Sequence, residues 1–250
     1  MSAQVVEAYW MPGCTSCLRM KEFLEASGVP FVAINLDGNP EAQAKLKALG
    51  LLAPVTCIGE RGVNGMDLAA VAELVGVEYR PRAMLTPAEL VERYEVNQQA
   101  GCRFLAQMTP QALAYQIDGR ARPMLEVAYQ VGMVARSFLK AYYDDRHTTR
   151  FYSLPQDVRT KEQILEAATE TRARMRKWWD EEGQDDPLDR VTKTYWGHAT
   201  LHEVLEREVW HTTQHARQLM DVLQRHGIAP DGPLTPAHLD GLPLPERIHD

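Results

Sequence analysis

The chain has 250 residues, 45% hydrophobic and 24% charged, a composition typical of a globular protein with one large or two small domains. Its 34 acidic residues outnumber its 27 Lys and Arg residues, and the resulting net charge of −7 argues against binding to nucleic acid or to an anionic membrane. No apolar run approaches the roughly 18 residues of a membrane span, and no signal segment precedes the first strand-like run, so we expect a cytoplasmic protein.

Residues 1–78 alternate short strand-like runs with helical ones. This order predicts a first domain of the α/β class, with residues 59–65 as a glycine-punctuated turn region. The predicted strands lie at about 5–10, 31–35 and 55–58, and the predicted helices at about 14–27, 39–49 and 67–75.

Residues 82–250 predict a second, all-α domain with almost no strand signal. Thr86, Pro87 and Glu89 form a helix-start signature of capping residue, proline and acid. Four helices are predicted, at about 86–108, 123–143, 160–182 and 201–225. Helices of this length with one apolar stripe each are typical of a four-helix bundle. The proline-rich tail beyond Gly227 is expected to pack on the bundle as an irregular segment.

A Cys-x-x-Cys pair, Cys14 and Cys17, stands where the first predicted strand turns into the first helix. A sulfur at a helix N-terminus meets unsatisfied N–H groups and the helix dipole, which favour its thiolate form. The second sulfur lies on the same helical face and can resolve a mixed disulfide. The pair therefore predicts redox chemistry, with Cys14 as nucleophile and Cys17 as resolving thiol. The alternative, half of a zinc site, needs a second ligand pair, and Cys57 and Cys102 are isolated and expected to be buried small residues.

Three runs in the first domain, YWMPGCTSC at 9–17, APV at 53–55 and GMD at 65–67, resemble the glutaredoxins, particularly the small hydroredoxins served by thioredoxin reductase. The resemblance implies a thioredoxin-like fold and thiol–disulfide oxidoreductase activity. It also implies a thiol or disulfide substrate, a thioredoxin-reductase-type or thiol reductant, and glutathione or another low-molecular-weight thiol as a ligand.

The same resemblance assigns roles around the dithiol. It implies that Pro54 is cis and lies against the dithiol, that Val55 offers its backbone to a bound thiol peptide, and that Gly65 and Asp67 line the same groove. Met11 stands where the family often has a lysine. Because that lysine would hold a glutathione carboxylate, Met11 disfavours glutathione as the preferred thiol.

The fourth predicted helix carries Glu208, His211 and His215 on one inward-facing stripe. Two imidazoles one turn apart on such a stripe are either a metal-binding pair or core histidines satisfied by neighbouring helices. The histidines near loops, His147 among them, are expected to be solvated.

Two runs in the second domain, WHTTQHARQL at 210–219 and YQVGMV at 129–134, resemble the last and second helices of DinB-like four-helix proteins. That superfamily binds a divalent metal through one second-helix and two last-helix histidines, and it includes thiol-dependent isomerases and S-transferases. His211 and His215 match the pattern, but Gln130 stands at the second-helix position, and an amide is a poor ligand for Zn or Ni. The site has lost its metal, binds it weakly, or uses Glu208 instead.

Three functions are compatible with these patterns. The first is thiol–disulfide oxidoreduction, with the bundle binding a thiol-bearing substrate or partner. The second is a metal-dependent S-transferase or isomerase of low-molecular-weight thiols, centred on the bundle. The third is a redox or stress sensor without turnover. The sequence leaves a monomer and a homodimer both open.

Overall fold

The computed structural model describes residues 5–117 and 122–249. The chain divides into two compact units, Met1–Arg82 with Pro245–Asp250, and Ala83–Leu244. Across the described ranges, no helix is long and apolar enough to cross a membrane.

The first unit is built on a four-stranded sheet with the strand order β2-β1-β3-β4. Strand β1 is parallel to β2 and antiparallel to β3, which in turn is antiparallel to β4. This mixed sheet with its helices is thioredoxin-like. The elements are β1 Val6–Trp10, α1 Thr15–Ala26, β2 Phe31–Asn35, α2 Pro40–Leu49, β3 Val55–Ile58, β4 Arg61–Asn64 and α3 Leu68–Val75.

Local signals begin and end the helices of this unit. The Asn39 side chain accepts a hydrogen bond from Ala42 N and Pro40 occupies the first turn of α2, while Gly50 ends that helix with φ of 68°. Asp67 caps α3 in the same way. The helices cover a core of buried side chains that includes Ala8, Tyr9, Met20, Leu24, Leu46, Val55, Cys57 and Val71.

Strand β4 corrects the prediction of a turn region at residues 59–65. Gly62 pairs with Cys57 of β3, and Gly59 takes a left-handed φ of 63° in the tight turn between the two strands. Because glycine has low strand propensity, β4 is stabilised by its pairing with β3 and not by its own composition.

The tail beyond Gly227 packs on the bundle as predicted as far as Leu244, with Ile228, Leu234 and Leu242 against its core, but Pro245–Asp250 belongs to the first unit. The backbone N–H groups of Glu246 and Arg247 donate to the two carboxylate oxygens of Glu22 on α1, at 2.8 and 2.9 Å. The Arg247 guanidinium also donates to Glu25, at 3.1 Å. These contacts attach the last residues to the outer face of α1.

The second unit is mostly helical, and its long helices form a bundle in which α4 packs along α9. Their core includes the buried large side chains Tyr94, Phe104, Phe138, Trp178 and Trp210. The helices are α4 Pro87–Gln107, α5 Pro110–Ala114, α6 Met124–Met133, α7 Ala135–Asp144, α8 Lys161–Trp178, α9 Leu201–Arg225 and α10 Pro236–Leu239.

Two predicted long helices differ in detail from those observed. The second is divided at Val134, where the N–H of Ser137 donates to the Val134 carbonyl in a tighter turn than an α-helix makes. The third ends as α-helix at Trp178 and continues through one π-helical turn, Trp179–Gly183. Gly132 allows α6 to approach α8 closely, since a Cβ there would lie 2.7 Å from the Cβ of Ala168.

A β-hairpin before α9 contradicts the expectation of almost no strand beyond residue 82. Strand β5, Val191–Thr194, pairs antiparallel with β6, Gly197–Thr200. The β-branched residues of β5 and the glycine after its turn do favour a hairpin, but each strand has too few residues to be recognised from the sequence. Thr200 then caps α9 by accepting a hydrogen bond from Glu203 N.

Candidate active site

The dithiol lies at the start of α1, immediately after β1. Cys14 is the capping residue of α1, and its Sγ accepts a hydrogen bond from Cys17 N at 3.1 Å. Gly13, with φ of 77°, allows the sharp turn from strand to helix. The two cysteines are joined in a disulfide, with their Cα atoms 5.2 Å apart. This placement is the strand-to-helix setting that the Cys-x-x-Cys pair predicts.

The two sulfurs differ in accessibility. Cys14 is half-buried, whereas Cys17 has 0% of its surface exposed. Of the two residues of the disulfide, Cys14 is therefore the one with exposed surface. A capping sulfur that accepts a backbone N–H bond is also in the setting that favours a thiolate. The arrangement can carry out thiol–disulfide exchange with an outer attacking sulfur and an inner resolving one.

Pro54 and Gly65 pack together beside α1. The Ala53–Pro54 peptide bond is cis, as the family resemblance implies, and the Pro54 carbonyl accepts a hydrogen bond from Gly65 N at 2.8 Å. A Cβ on Gly65 would overlap the Met20 side chain of α1 and lie 3.0 Å from the Pro54 Cβ. Only glycine at position 65 therefore permits the end of β4, Pro54 and α1 to pack this closely.

Val55 is enclosed within the sheet. Its side chain has 0% exposed surface, and it pairs with Tyr9 of β1 on one side and Asn64 of β4 on the other. Ala53 precedes β3, outside this register, and is half-buried. Of the residues flanking Pro54, Ala53 is thus better placed than Val55 to offer backbone groups to an extended ligand, a distinction the sequence motif does not make.

The other predicted groove residues are at the surface or in capping positions. Met11, whose carbonyl accepts a hydrogen bond from Cys14 N at 3.2 Å, is 45% exposed. Asp67 is exposed, and its carboxylate accepts from Ala70 N at 3.0 Å. The ammonium group of Lys21 lies 4.0 Å from the ring centre of Trp10, the last residue of β1. No sequence motif marks this cation–aromatic pair.

The remaining cysteines are placed as unreactive thiols. Cys57 is buried in the sheet, and burial raises the pKa of its thiol. Cys102 on α4 is half-buried, and desolvation raises its pKa to about 11. Both thiols are therefore protonated at neutral pH, and this leaves Cys14 and Cys17 as the reactive pair.

A sheet of this topology, with a Cys-x-x-Cys pair capping its first helix and a cis-proline before β3, defines a thioredoxin-fold dithiol protein. The glutaredoxin family model matches residues 6–63. A glutaredoxin of Pseudomonas aeruginosa is 38% identical over 73 residues, which cover 28% of this chain and 87% of that protein. The chain belongs to the glutaredoxin family through its first unit.

A second group of functional side chains lies inside the bundle, around His215. This histidine is completely buried, and its ring nitrogens face two amide oxygens. Nε2 lies 2.8 Å from Gln130 Oε1, and Nδ1 lies 2.8 Å from Gln218 Oε1. The structure thus brings the α6 glutamine and the α9 histidine together, across a sequence separation of 85 residues.

His211 lies next to His215, with the ring centres 4.6 Å apart. Its Nδ1 contacts the guanidinium of Arg207. Because a guanidinium only donates, Nδ1 must be the accepting nitrogen and the ring proton resides on Nε2. Burial, together with the charge of Arg207, lowers the pKa of His211 to about 3, so this ring is neutral at pH 7.

Glu208 is the anion of this polar core. Its Oε1 accepts a hydrogen bond from the Tyr152 hydroxyl at 2.7 Å and contacts His147 Nε2 at 3.0 Å, while Oε2 lies 3.4 Å from Arg207 Nη1. Burial alone would raise the pKa of this carboxyl, but Arg207 and the histidines outweigh burial and hold it below its usual range.

His147 corrects the prediction of a solvated loop histidine. It is 6% exposed and lies on Glu208, which is 61 residues further along the chain. The loop after α7 carries it and Tyr152 inward. No local pattern marks either residue, because their role depends on the tertiary fold.

These side chains do not fit a divalent metal. Among the described residues, no group of three His, Cys, Asp or Glu side chains has the geometry to hold an ion. His211 directs its Nδ1 lone pair at Arg207, and His147 donates to Glu208 through Nε2. Each ring nitrogen of His215 lies within hydrogen-bond distance of a glutamine side chain, Gln130 or Gln218, and is directed at that partner. The three imidazoles therefore offer no lone pairs to a common point.

Proposed function

We propose that this protein is a thiol–disulfide oxidoreductase whose nucleophile is Cys14. The observation that carries the proposal is the asymmetric dithiol at the start of α1, with Cys14 half-buried in the capping position and Cys17 fully buried. Its membership of the glutaredoxin family supports the same activity.

In the proposed reaction the Cys14 thiolate attacks one sulfur of a substrate disulfide, R–S–S–R′. A Cys14–S–S–R bond forms, the S–S bond of the substrate breaks, and R′S⁻ leaves and takes a proton from water. Cys17 then loses its proton and attacks the Cys14 sulfur, releasing the second thiolate and forming the Cys14–Cys17 disulfide. Two electrons pass from the protein to the substrate, and a thiol reductant returns them by the reverse exchange.

Pro54, Gly65 and Asp67 form the proposed substrate groove beside the dithiol, with Val55 behind it. The close packing of Gly65 on Pro54 supports this grouping. Ala53 is the proposed backbone contact, because it lies outside the sheet register.

The reductant we propose is of the thioredoxin-reductase type. Its support is Met11, an exposed thioether at a position where a cation would hold an anionic tripeptide. Glutathione would then be a secondary thiol. A reducing compartment such as the cytoplasm suits this assignment, because Cys57 and Cys102 are unpaired.

For the second unit, Ala83–Leu244, we propose a DinB-like bundle, which is shorter at its end than the range 82–250 that the sequence predicts. The support is the residue pattern of α6 and α9 and the meeting of Gln130 with His215. Its proposed role is to bind the thiol-bearing substrate or partner, and this role rests on the resemblance alone.

The experiment that tests the activity is reduction of a small dialkyl disulfide by full-length protein with NADPH and thioredoxin reductase. Wild type should turn over, Cys14→Ser should not, and Cys102→Ser should match wild type because that thiol is desolvated and distant in sequence from the pair. Turnover by Cys14→Ser at the wild-type rate would contradict the proposal.

A further inference from the structure

The buried polar side chains of the bundle include a cation, the guanidinium of Arg207. Arg207 is only 5% exposed, and its guanidinium contacts three partners. Nη1 lies 3.4 Å from Glu208 Oε2 and also contacts His211 Nδ1, while Nη2 donates to the Tyr195 hydroxyl at 3.2 Å. The rings of Tyr152 and Trp210 lie 5.0 and 5.3 Å from the guanidinium carbon. Both Nη atoms of this buried guanidinium therefore have hydrogen-bond partners, while its Nε is buried without one.

The groups around this cation are typical metal ligands. His147 Nε2 lies 3.0 Å from one oxygen of the Glu208 carboxylate, and His211 Nδ1 lies 3.8 Å from the other. Two imidazoles on one carboxylate are the donor set that catalytic zinc sites use. All three side chains are at least nine-tenths buried. The Arg207 Nη1 atom contacts both the Glu208 carboxylate and the His211 nitrogen.

We propose that the Arg207 guanidinium takes the place of a divalent metal ion in this bundle and fills, from within the chain, a cation site formed by His147, Glu208 and His211. The positive charge of Arg207 balances Glu208, and its N–H groups use the lone pair of His211. A divalent ion entering beside it would face like-charge repulsion in a desolvated interior. The wild-type bundle is therefore closed to metal, and loss of the guanidinium opens it to zinc or nickel.

His147 needs only a change of tautomer to act as a ligand in this cation site. Its Nε2 donates to Glu208, and its Nδ1 is a buried atom without a hydrogen-bond partner. Moving the ring proton from Nε2 to Nδ1 presents the Nε2 lone pair beside the carboxylate, and no proton leaves the ring. Once Arg207 is gone, His211 Nδ1 presents its lone pair from the other side.

The test is calorimetric titration of Zn²⁺ into chelator-treated full-length protein, with Co²⁺ absorption as a second readout. The protein is kept oxidised, so that the Cys14–Cys17 disulfide prevents the dithiol from binding metal. Wild type should bind no ion in the bundle, and Arg207→Gln should gain one equivalent with the visible bands of a tetrahedral Co²⁺ site. Adding His147→Ala to Arg207→Gln should remove this equivalent.

The matched control is Arg217→Gln, which removes one charge from the same helix at a half-buried position beside Gln214. It should bind no more metal than wild type. If Arg207→Gln keeps the circular dichroism of wild type and binds no more Zn²⁺ than Arg217→Gln, the proposal is wrong. Tight binding by wild type that Glu208→Gln abolishes would also overturn it.

Two further variants keep the proposal testable if Arg207→Gln does not fold. Arg207→Lys retains a cation and should fold and exclude metal. Gln130→His adds an imidazole facing His215 but leaves Arg207 in place, so it should bind no metal either. Binding of one equivalent of Zn²⁺ by Gln130→His with Arg207 intact would show that the guanidinium does not close the site.

Discussion

The Cys14–Cys17 dithiol of the first unit and the buried polar residues around Glu208 in the bundle both contain reactive side chains. They differ in which atoms remain available to a substrate. Cys14 is half-buried, and its sulfur accepts a hydrogen bond from a helix N–H group. Glu208 and His211 direct their accepting oxygen and nitrogen atoms at Arg207 and at other buried neighbours. Residue type alone therefore does not mark a catalytic site, since chemistry also needs an exposed atom with a free lone pair.

The largest expected effect comes from breaking the buried pair in the bundle. Glu208→Ala removes the anion and leaves Arg207 as an uncompensated buried charge, which should lower the free energy of unfolding by about 3–5 kcal/mol. Urea unfolding followed by tryptophan fluorescence measures the change, because Trp178 and Trp210 lie in the bundle core.

The control for this substitution is Glu170→Ala, which removes an exposed carboxylate that pairs with Arg136 and Arg174. Its unfolding curve should lie close to that of wild type. Equal losses from the two substitutions would mean that the polar core contributes no more to stability than a surface ion pair.

A smaller effect is expected from pH, again confined to the bundle. The pKa of His211 is lowered to about 3 in the folded protein, so between that value and its ordinary 6.5 the unfolded chain binds the extra proton. Stability is therefore full above pH 6.5 and falls as the pH drops, by about 2 kcal/mol from pH 7 to pH 5. The depressed pKa of Glu208 acts in the same direction at still lower pH.

Unfolding curves at pH 7 and pH 5 measure this dependence, and His211→Gln should flatten it because glutamine does not titrate. If the His211→Gln protein loses as much stability as wild type over this range, another group is responsible.

The smallest expected effect concerns the reductant. Met11→Lys places a cation beside the dithiol and should raise the rate with glutathione severalfold, while the rate with a thioredoxin-reductase system changes little. The ratio of the two rates, measured on one disulfide, reports the preference. A wild-type protein that already prefers glutathione would remove the basis for this prediction.

The sequence predicts most of the first unit because its signals are local. Asn39, Pro40 and Gly50 define α2, and the Cys-x-x-Cys pair by itself marks the start of α1. Strand β4 is missed because it is short and contains Gly62, a residue of low strand propensity, and it forms through its pairing with β3.

The candidate site in the bundle is only half predictable from the sequence. The stripe of Glu208, His211 and His215 follows from helical spacing, and so does the inward direction of these residues. The partners that decide their chemistry, His147 and Tyr152, come from a loop more than 50 residues earlier, and no periodicity links them to α9. Contacts of this kind depend on the whole fold.

Trapping of a mixed disulfide identifies the sulfur that attacks the substrate, which we propose to be that of Cys14. Reduced Cys17→Ser protein is mixed with a disulfide-containing peptide at neutral pH, and the product is identified by mass spectrometry after proteolysis. We expect one peptide per chain, joined to Cys14, and no stable adduct with Cys14→Ser or with wild type, in which Cys17 releases the peptide. An adduct at Cys17 in the Cys14→Ser protein, formed as fast as the Cys14 adduct in Cys17→Ser, would contradict the account.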